Sequence, residues 1–165
     1  MSAQTDQARQ AAGLDVTTPS DREIRIERTF DAPRERVWQA YTEPDQVAQW
    51  WGRGNPLTIE RLEVQRGGHW RFVEHGPDGD HGFEGRFREV TPYDRMVQTF
   101  EWDGMPGYVI INTAEFVDLG DGRTKIVTTS QFFTTEERDG MLDSGMAVGL
   151  GQSYEALDRL LARTT

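Results

Sequence analysis

The stretch 30-FDAPRERVWQAYTEPDQVAQWWG-52 decides the fold, because it places two short helices directly after the first predicted strand. Asp31 is the expected N-cap of the first helix, with Pro33 in its first turn. This helix ends before Pro44, since the residue before a proline avoids helical geometry. The second helix is predicted over residues 45–51. Three of the five tryptophans lie in this stretch, and they cover either a plain core or a space for another molecule.

The rest of the chain up to residue 133 has the pattern of β-strands. Residues 23–30 alternate apolar and polar side chains, which is the period of a half-buried strand. Six more strands follow from residue 57, separated by turn sequences such as Gly-Pro-Asp-Gly at 76–79 and Gly-Asp-Gly at 120–122. Because strands joined by short turns pair antiparallel, this pattern predicts one antiparallel sheet of six to seven strands.

The last part of the chain, residues 134–162, is predicted to form one long amphipathic helix with an N-cap at Thr134 or Thr135. A glycine inside a helix costs about 1 kcal/mol relative to alanine. Three glycines interrupt the apolar face: Gly145, Gly149 and Gly151. Two explanations stay open, namely tight packing on a curved sheet or space for a ligand.

Composition excludes several classes of protein. A length of 165 residues suggests one domain. The 28 acidic and 18 basic residues give a net charge of −10, which disfavours nucleic acids and anionic membrane surfaces as partners. The absence of cysteine excludes disulfides and thiolate chemistry. No signal peptide or long apolar run is found, so a cytoplasmic location is expected. Residues 1–20 are polar and expected to be a disordered tail before a domain over 21–165.

The order of these elements predicts an α+β fold in which a strongly curved antiparallel sheet wraps the long C-terminal helix. A single helix is too narrow to fill such a concave face. A cavity is therefore expected between the sheet and the helix, with the two short helices closing one end. Trp50 and Trp51 are expected at the rim of that cavity.

Several motifs occur in an order found in a known family. They are RTFDAPRERVWQAYTEPDQVAQWWG at 28–52, RGGHWRF at 66–72, GPDG at 76–79, GRFREVTPYDRMVQTFEW at 85–102 and GDGRTKIVTTSQF at 120–132. Over about residues 22–163 the chain resembles the family of the Hsp90 ATPase activator C-terminal domain, within the START-like or Bet v 1-like (SRPBCC) superfamily. The resemblance implies the helix-grip fold and a cavity for a hydrophobic ligand. It does not imply co-chaperone activity, because function has to be argued from the site.

Side chains alternate across a strand, so the face with the larger apolar residues is expected to point into the cavity, unless a bulge exchanges the faces. Gln98, Asn112, Thr128 and Ser130 share that face on consecutive strands. Either they satisfy one another or they orient the polar end of a ligand. The expected ligand-cavity residues are Trp50, Trp51, Trp70, Phe72, Phe83, Phe87, Gln98, Phe100, Trp102, Ile110, Asn112, Thr128, Ser130, Met141, Gly145, Met146 and Gly149.

Signatures of catalysis are weak in this sequence. It has no nucleophile elbow, P-loop or dinucleotide-binding glycine motif. Glu74, Glu89 and Glu101 are candidates for an inward-facing acid–base group, and the first two share faces with aromatic residues. Strand-end carboxylates that face solvent or pair with Arg71, Arg86 or Arg88 are the simpler interpretation. No metal or other cofactor is expected, because metal-ligand spacing is absent around the three histidines, His69, His75 and His81.

Three functions are compatible with these observations. The first is a binding module for a small hydrophobic molecule, acting as a carrier, sensor or stress-related protein. The second is an enzyme of the cyclase or hydrolase type that acts in the same cavity, and the third is a chaperone-related module that binds a protein partner. The absence of a nucleophile–base pair favours the first. The acidic charge opposes self-association, so a monomer or a weak homodimer without nucleic-acid binding or membrane insertion is expected.

Overall fold

Eight antiparallel strands form one curved, unclosed sheet in the computed structural model, which describes residues 13–163. Their order across the sheet is β1-β2-β8-β7-β6-β5-β4-β3. The predicted α+β helix-grip architecture is confirmed, with one strand more than expected. In chain order the strands are β1 (Asp15–Thr17), β2 (Glu23–Phe30), β3 (Leu57–Leu62), β4 (His69–Gly76), β5 (Gly79–Thr91), β6 (Arg95–Trp102), β7 (Val109–Gly120) and β8 (Arg123–Gln131).

Four helices accompany the sheet within the described residues, and they are α1 (Arg34–Thr42), α2 (Pro44–Val47), α3 (Thr135–Asp143) and α4 (Met146–Arg163). Pro33 occupies the N-cap position of α1, and no side chain caps that helix, so the expected cap at Asp31 is wrong. The N-cap at Thr134 is confirmed, because its side-chain oxygen accepts a hydrogen bond from the backbone N–H of Glu137 at 3.1 Å.

The predicted single C-terminal helix is in fact two helices, α3 and α4, separated at Ser144 and Gly145. Gly145 has φ = +82°, in the left-handed region that ends a helix and favours glycine. A Cβ added at Gly145 meets no atom within 4 Å. Gly145 therefore serves to turn the chain between two helices, and it is not a helical position that leaves space for a ligand.

The core lies between the concave face of the sheet and helix α4. Tyr154 and Leu157 of α4 are buried together with Phe116 and Ile126 of the sheet. The ring of Tyr154 contacts that of Phe30 edge-on at 5.1 Å. The expected inward phase of the strands is confirmed by burial at Trp70, Phe72, Phe87, Met96, Ile110, Phe116, Ile126 and Phe132.

Strand β1 lies in the segment that was expected to be a disordered tail. Val16 pairs with Ile26 of β2, and the preceding Leu14 is only 2 % exposed. The expectation is therefore wrong for residues 13–20, and residues 1–12 lie outside the described part of the chain. Strand β1 has only three residues and one apolar position, Val16, so the alternation of apolar and polar residues is too short to predict it.

Removal of β1 is expected to destabilise the protein. A chain starting at residue 20 loses Leu14, whose burial contributes about 2 kcal/mol, whereas a chain starting at residue 13 keeps it. The melting temperature of the shorter chain should fall by roughly 4–8 °C relative to that of the longer one. Equal melting temperatures would show that residues 13–19 are dispensable.

Candidate ligand-binding site

An aromatic cluster covers one half of the concave face. The ring of Trp51 lies 5.1 Å from that of Phe72, 5.2 Å from that of Phe83 and 6.5 Å from that of Phe100. Trp70 completes the cluster behind Phe72. These five residues, Trp51, Trp70, Phe72, Phe83 and Phe100, are called the aromatic wall below. The loop after α2 supplies Trp51, and strands β4, β5 and β6 supply the others.

Trp50 does not belong to this wall, although it precedes Trp51 in the chain. It is 4 % exposed, its indole N–H donates to the backbone oxygen of Ala40 at 2.8 Å, and its ring contacts Tyr41 and Tyr154. Trp50 is therefore a core residue between α1 and α4. The expectation that both tryptophans lie at a cavity rim is wrong for Trp50.

A row of polar side chains covers the other half of the concave face. Gln98 of β6 is paired with Asn112 of β7, which is paired in turn with Ser130 of β8. The Ser130 hydroxyl donates to Oδ1 of Asn112 at 2.7 Å. We call Gln98, Asn112 and Ser130 the polar row. Thr128 lies next to it and beside Tyr154, whose pKa is raised by burial, so that this phenol stays protonated to a higher pH than an exposed tyrosine.

The polar row keeps access to solvent although it lies on central strands. Its three side chains are half-buried, as are Phe100 and Ala114 on the same face. Apolar side chains of α3 and α4 that pack against the core are also only partly buried: Met141, Leu142, Met146 and Leu150. The residues around Tyr154, such as Phe30, Phe116 and Leu157, are fully buried. The partial burial beside the polar row therefore indicates looser packing there than around Tyr154.

An ion pair ties the loop that carries Trp51 to strand β4. Arg53 donates from Nε to Oε1 of Glu74 at 3.1 Å and from Nη2 to Oε2 at 2.6 Å. Asn55 donates its amide to the same Oε2 at 3.0 Å. The Glu74 side chain is 2 % exposed, whereas that of Arg53 is 50 % exposed. Two residues of one short loop, Arg53 and Asn55, thus compensate the charge of the buried Glu74 carboxylate.

The same loop is also attached to helix α4. The backbone N–H of Arg53 donates to the Ser153 hydroxyl at 3.0 Å, and this hydroxyl donates to the backbone oxygen of Trp51 at 3.1 Å. Arg53 has φ = +55°, a left-handed backbone conformation that is rare for residues other than glycine, asparagine and aspartate. A Cβ added at Gly149 would lie 2.8 Å from Cδ of Arg53. Gly149 therefore leaves room for the arginine, and neither explanation that the sequence left open, tight packing on the sheet or space for a ligand, describes this position.

Sequence reasoning missed Arg53 and Asn55. The simpler interpretation, that Glu74 faces solvent or pairs with Arg71, Arg86 or Arg88, is wrong, because Glu74 is buried and its arginine partner, Arg53, lies in a loop. The available signal was the run Gly-Arg-Gly-Asn-Pro at 52–56, in which a charged residue stands between two glycines before a strand. Both Glu74 oxygens accept hydrogen bonds from fixed donors, so this carboxylate is poorly placed to remove a proton from a substrate.

The other charged candidate, Glu89, lies away from the concave face. A bulge between Phe87 and Glu89 shifts the strand register, and the exposed Glu89 carboxylate pairs with Arg95 at 2.6 Å. The prediction that a solvent-facing or arginine-paired carboxylate is the simpler interpretation is thus correct for Glu89. A single bulge suffices for this change, because each step along a strand exchanges the two faces.

The three histidines are held separately in the sheet. His75 contacts Thr58 and Asp80, His69 lies beside Arg61 and Glu84, and the His81 ring contacts that of Trp102 at 5.7 Å. Within residues 13–163 there is no group of three or more histidine and acidic side chains arranged to hold a metal ion. Trp102 lies at the end of β6 against His81, beyond the aromatic wall.

The fold and the concave site define the class of protein: a helix-grip protein of the SRPBCC superfamily. More closely, the chain belongs to the family described as activator of Hsp90 ATPase homolog 1-like protein, whose sequence profile matches residues 31–162. No curated protein shows a significant match. None of the helices in the described part of the chain is long and apolar enough to span a membrane.

Solved structures with the same fold come from several bacteria. A protein of Rhodobacter sphaeroides is 28% identical, with a TM-score of 0.84 over 92% of this chain and 99% of its own. An Arthrobacter aurescens protein is 26% identical, with a TM-score of 0.81 over 92% of each chain. A Mycobacterium smegmatis protein, with a TM-score of 0.81, covers 92% of this chain and 98% of its own, but at 24% identity the likeness concerns the fold alone.

Proposed function

We propose that the protein binds a small hydrophobic molecule between the concave face of the sheet and helices α3 and α4, as a carrier or sensor without chemistry of its own. The observation that carries this proposal is the combination of an aromatic wall with a half-buried polar row on one face. Apolar pockets with a few placed polar groups are typical of small-molecule sites. The SRPBCC fold, which commonly binds hydrophobic ligands, agrees with it.

The site offers little support for an enzyme. A general base needs a lone pair directed at the substrate. The buried carboxylate nearest to the aromatic wall, Glu74, is held by Arg53 and Asn55 through both of its oxygens. Ligand binding without catalysis therefore requires no rearrangement of the contacts between Glu74, Arg53 and Asn55.

The proposal is tested with native mass spectrometry of the purified protein and with a fluorescent naphthyl ketone, 6-propionyl-2-(dimethylamino)naphthalene. We expect saturable binding, with a blue shift of the probe emission and energy transfer from tryptophan, because Trp51 faces the site. Ala114→Phe fills the concave face and should weaken probe binding by about tenfold or more without a loss of stability. Thr113→Phe places the same ring on the outer face of the same strand and should leave binding unchanged.

The same pair of variants distinguishes a cavity from a dense core. If the concave face is fully packed, Ala114→Phe should cost about 1–3 kcal/mol through overpacking. A destabilised Ala114→Phe variant together with a wild-type protein that binds no probe would overturn the proposed function.

A further inference from the structure

We propose that the ligand is neutral and carries a carbonyl oxygen, which accepts hydrogen bonds from the side-chain amides of Asn112 and Gln98. This inference rests on the proposed function and specifies the chemistry of its ligand. It follows from three observations on the concave face: the fixed orientation of one amide, the alignment of the second amide with it, and the charge balance around them.

The orientation of the Asn112 amide is fixed by its neighbour on β8. Because the Ser130 hydroxyl donates to Oδ1 of Asn112, the amide oxygen is turned towards β8 and the NH₂ group is turned away from it. Within residues 13–163 the NH₂ group of Asn112 has no hydrogen-bond partner of its own. An asparagine amide offers two N–H donors, so this group is complementary to an acceptor atom of a ligand bound on the concave face.

A second amide lies on the side to which the Asn112 NH₂ group turns. Gln98 is directly paired with Asn112 on β6, and side chains of such a pair have Cβ atoms about 4.5–5.5 Å apart. Among the described residues the Gln98 side chain has no hydrogen-bond partner either. Gln98 is followed two positions later by Phe100 of the aromatic wall, on the same face. An oxygen held by both amides therefore places the attached apolar group beside the wall.

The charge balance around the site favours a neutral ligand over a carboxylate. Arg53, at the edge of the aromatic wall, makes a two-point pair with Glu74. Arg28 of β2, whose guanidinium lies 5.7 Å from the Tyr154 ring, makes a two-point pair with Asp158 at 2.9 and 2.6 Å. Both cations are thus already matched by a carboxylate. A buried anion without a cationic partner is costly, whereas a carbonyl is fully served by amide donors.

Three probes of similar size test the proposal by equilibrium dialysis: 2-acetylnaphthalene, 2-ethylnaphthalene and 2-naphthoate. The ketone should bind about tenfold more tightly than the hydrocarbon, which corresponds to about 1.4 kcal/mol. The carboxylate should bind no more tightly than the ketone. Asn112→Asp replaces the donors by acceptors at equal size, and Asn112→Leu removes them without adding charge. Both should abolish the preference for the ketone and leave the hydrocarbon affinity within about twofold.

Ser130→Ala provides an intermediate case, because it frees the amide to rotate while keeping its donors. It should reduce the ketone affinity by about two- to fivefold and leave the hydrocarbon affinity unchanged. Equal binding of ketone and hydrocarbon by the wild type, retention of the preference in both Asn112 variants, or tightest binding of the carboxylate would each overturn this inference while the proposed function stands. A wild type that binds none of the three probes overturns both.

Discussion

Replacement of Arg53 by methionine is expected to lower the free energy of unfolding by about 3 kcal/mol. Methionine keeps the length and apolar contacts of the side chain but leaves the carboxylate of Glu74, which is 2 % exposed, without its cation. An uncompensated buried charge is among the most destabilising changes in a folded protein. The melting temperature should fall by roughly 6–12 °C, as measured by calorimetry or circular dichroism.

The chain offers a matched control for this change. The side chain of Arg61 is 52 % exposed, close to the 50 % of Arg53, but its partner Glu63 is itself 44 % exposed. Arg61→Met should therefore cost less than about 1 kcal/mol, as is usual for a surface pair. If Arg53→Met and Arg61→Met have equal small effects, the burial of Glu74 carries no energetic weight and the ion pair is an ordinary surface contact.

A double mutant separates the two contributions of Arg53 to stability, namely its charge and the packing of its side chain. Glu74→Gln keeps a hydrogen-bond acceptor for Asn55 and removes the negative charge. In that background Arg53→Met should cost at least about 1 kcal/mol less than in the wild type, because no buried charge is left unpaired. Additive effects of the two substitutions would instead assign the loss to packing of the arginine side chain.

Gly149→Leu is expected to lower the stability by about 2 kcal/mol for a related reason. The new Cβ would lie 2.8 Å from Cδ of Arg53, so the arginine side chain has to move, and we expect this movement to break its pair with Glu74. The loss of the pair, about 3 kcal/mol, is offset in part by the better helix propensity of leucine, about 1 kcal/mol. Urea unfolding of the variant and of the wild type measures the difference.

Two controls define the cause of this effect. Gly140 is also helical, but a Cβ at this position meets no atom within 4 Å, so Gly140→Leu should be neutral or stabilising by up to about 1 kcal/mol. Arg53→Gly removes the clashing side chain and suits the left-handed backbone at φ = +55°. In the Arg53→Gly background, Gly149→Leu should stabilise the protein. Destabilisation of equal size in both backgrounds would contradict the role assigned to Gly149, which is to leave room for Arg53.

The Arg53–Glu74 pair also bears on the proposed ligand site. It holds the loop that carries Trp51 of the aromatic wall, and Ser153 anchors the same loop to α4. Arg53, Glu74 and Ser153 thus fix the position of Trp51, which belongs to the proposed site. Stability and probe affinity should therefore fall together in Arg53→Met, whereas the Asn112 variants should change affinity for the ketone alone.

Much of the fold was determined by the sequence itself, because it depends on local patterns. Alternation along each strand fixes which side chains face the core, and it correctly predicted Trp70, Phe72 and Phe116 as buried. Short turns joined the strands into an antiparallel meander. The same alternation, applied to three neighbouring strands, predicted that Gln98, Asn112 and Ser130 lie on one face, and the register places them in one row.

Other features were decided only by the tertiary structure, since they depend on elements that are distant in the chain. Trp50 and Trp51 have identical side chains, yet one enters the core beside Tyr154 and the other faces Phe83, because consecutive residues of a helical turn point in different directions and different elements cover each direction. Glu74 finds its partner in a loop 21 residues earlier, and Gly149 lies against that partner only because α4 passes over the loop. Periodicity reports which face a residue occupies, but not which element covers that face. The pairing of buried charge with a half-exposed arginine is therefore a property of the assembled fold.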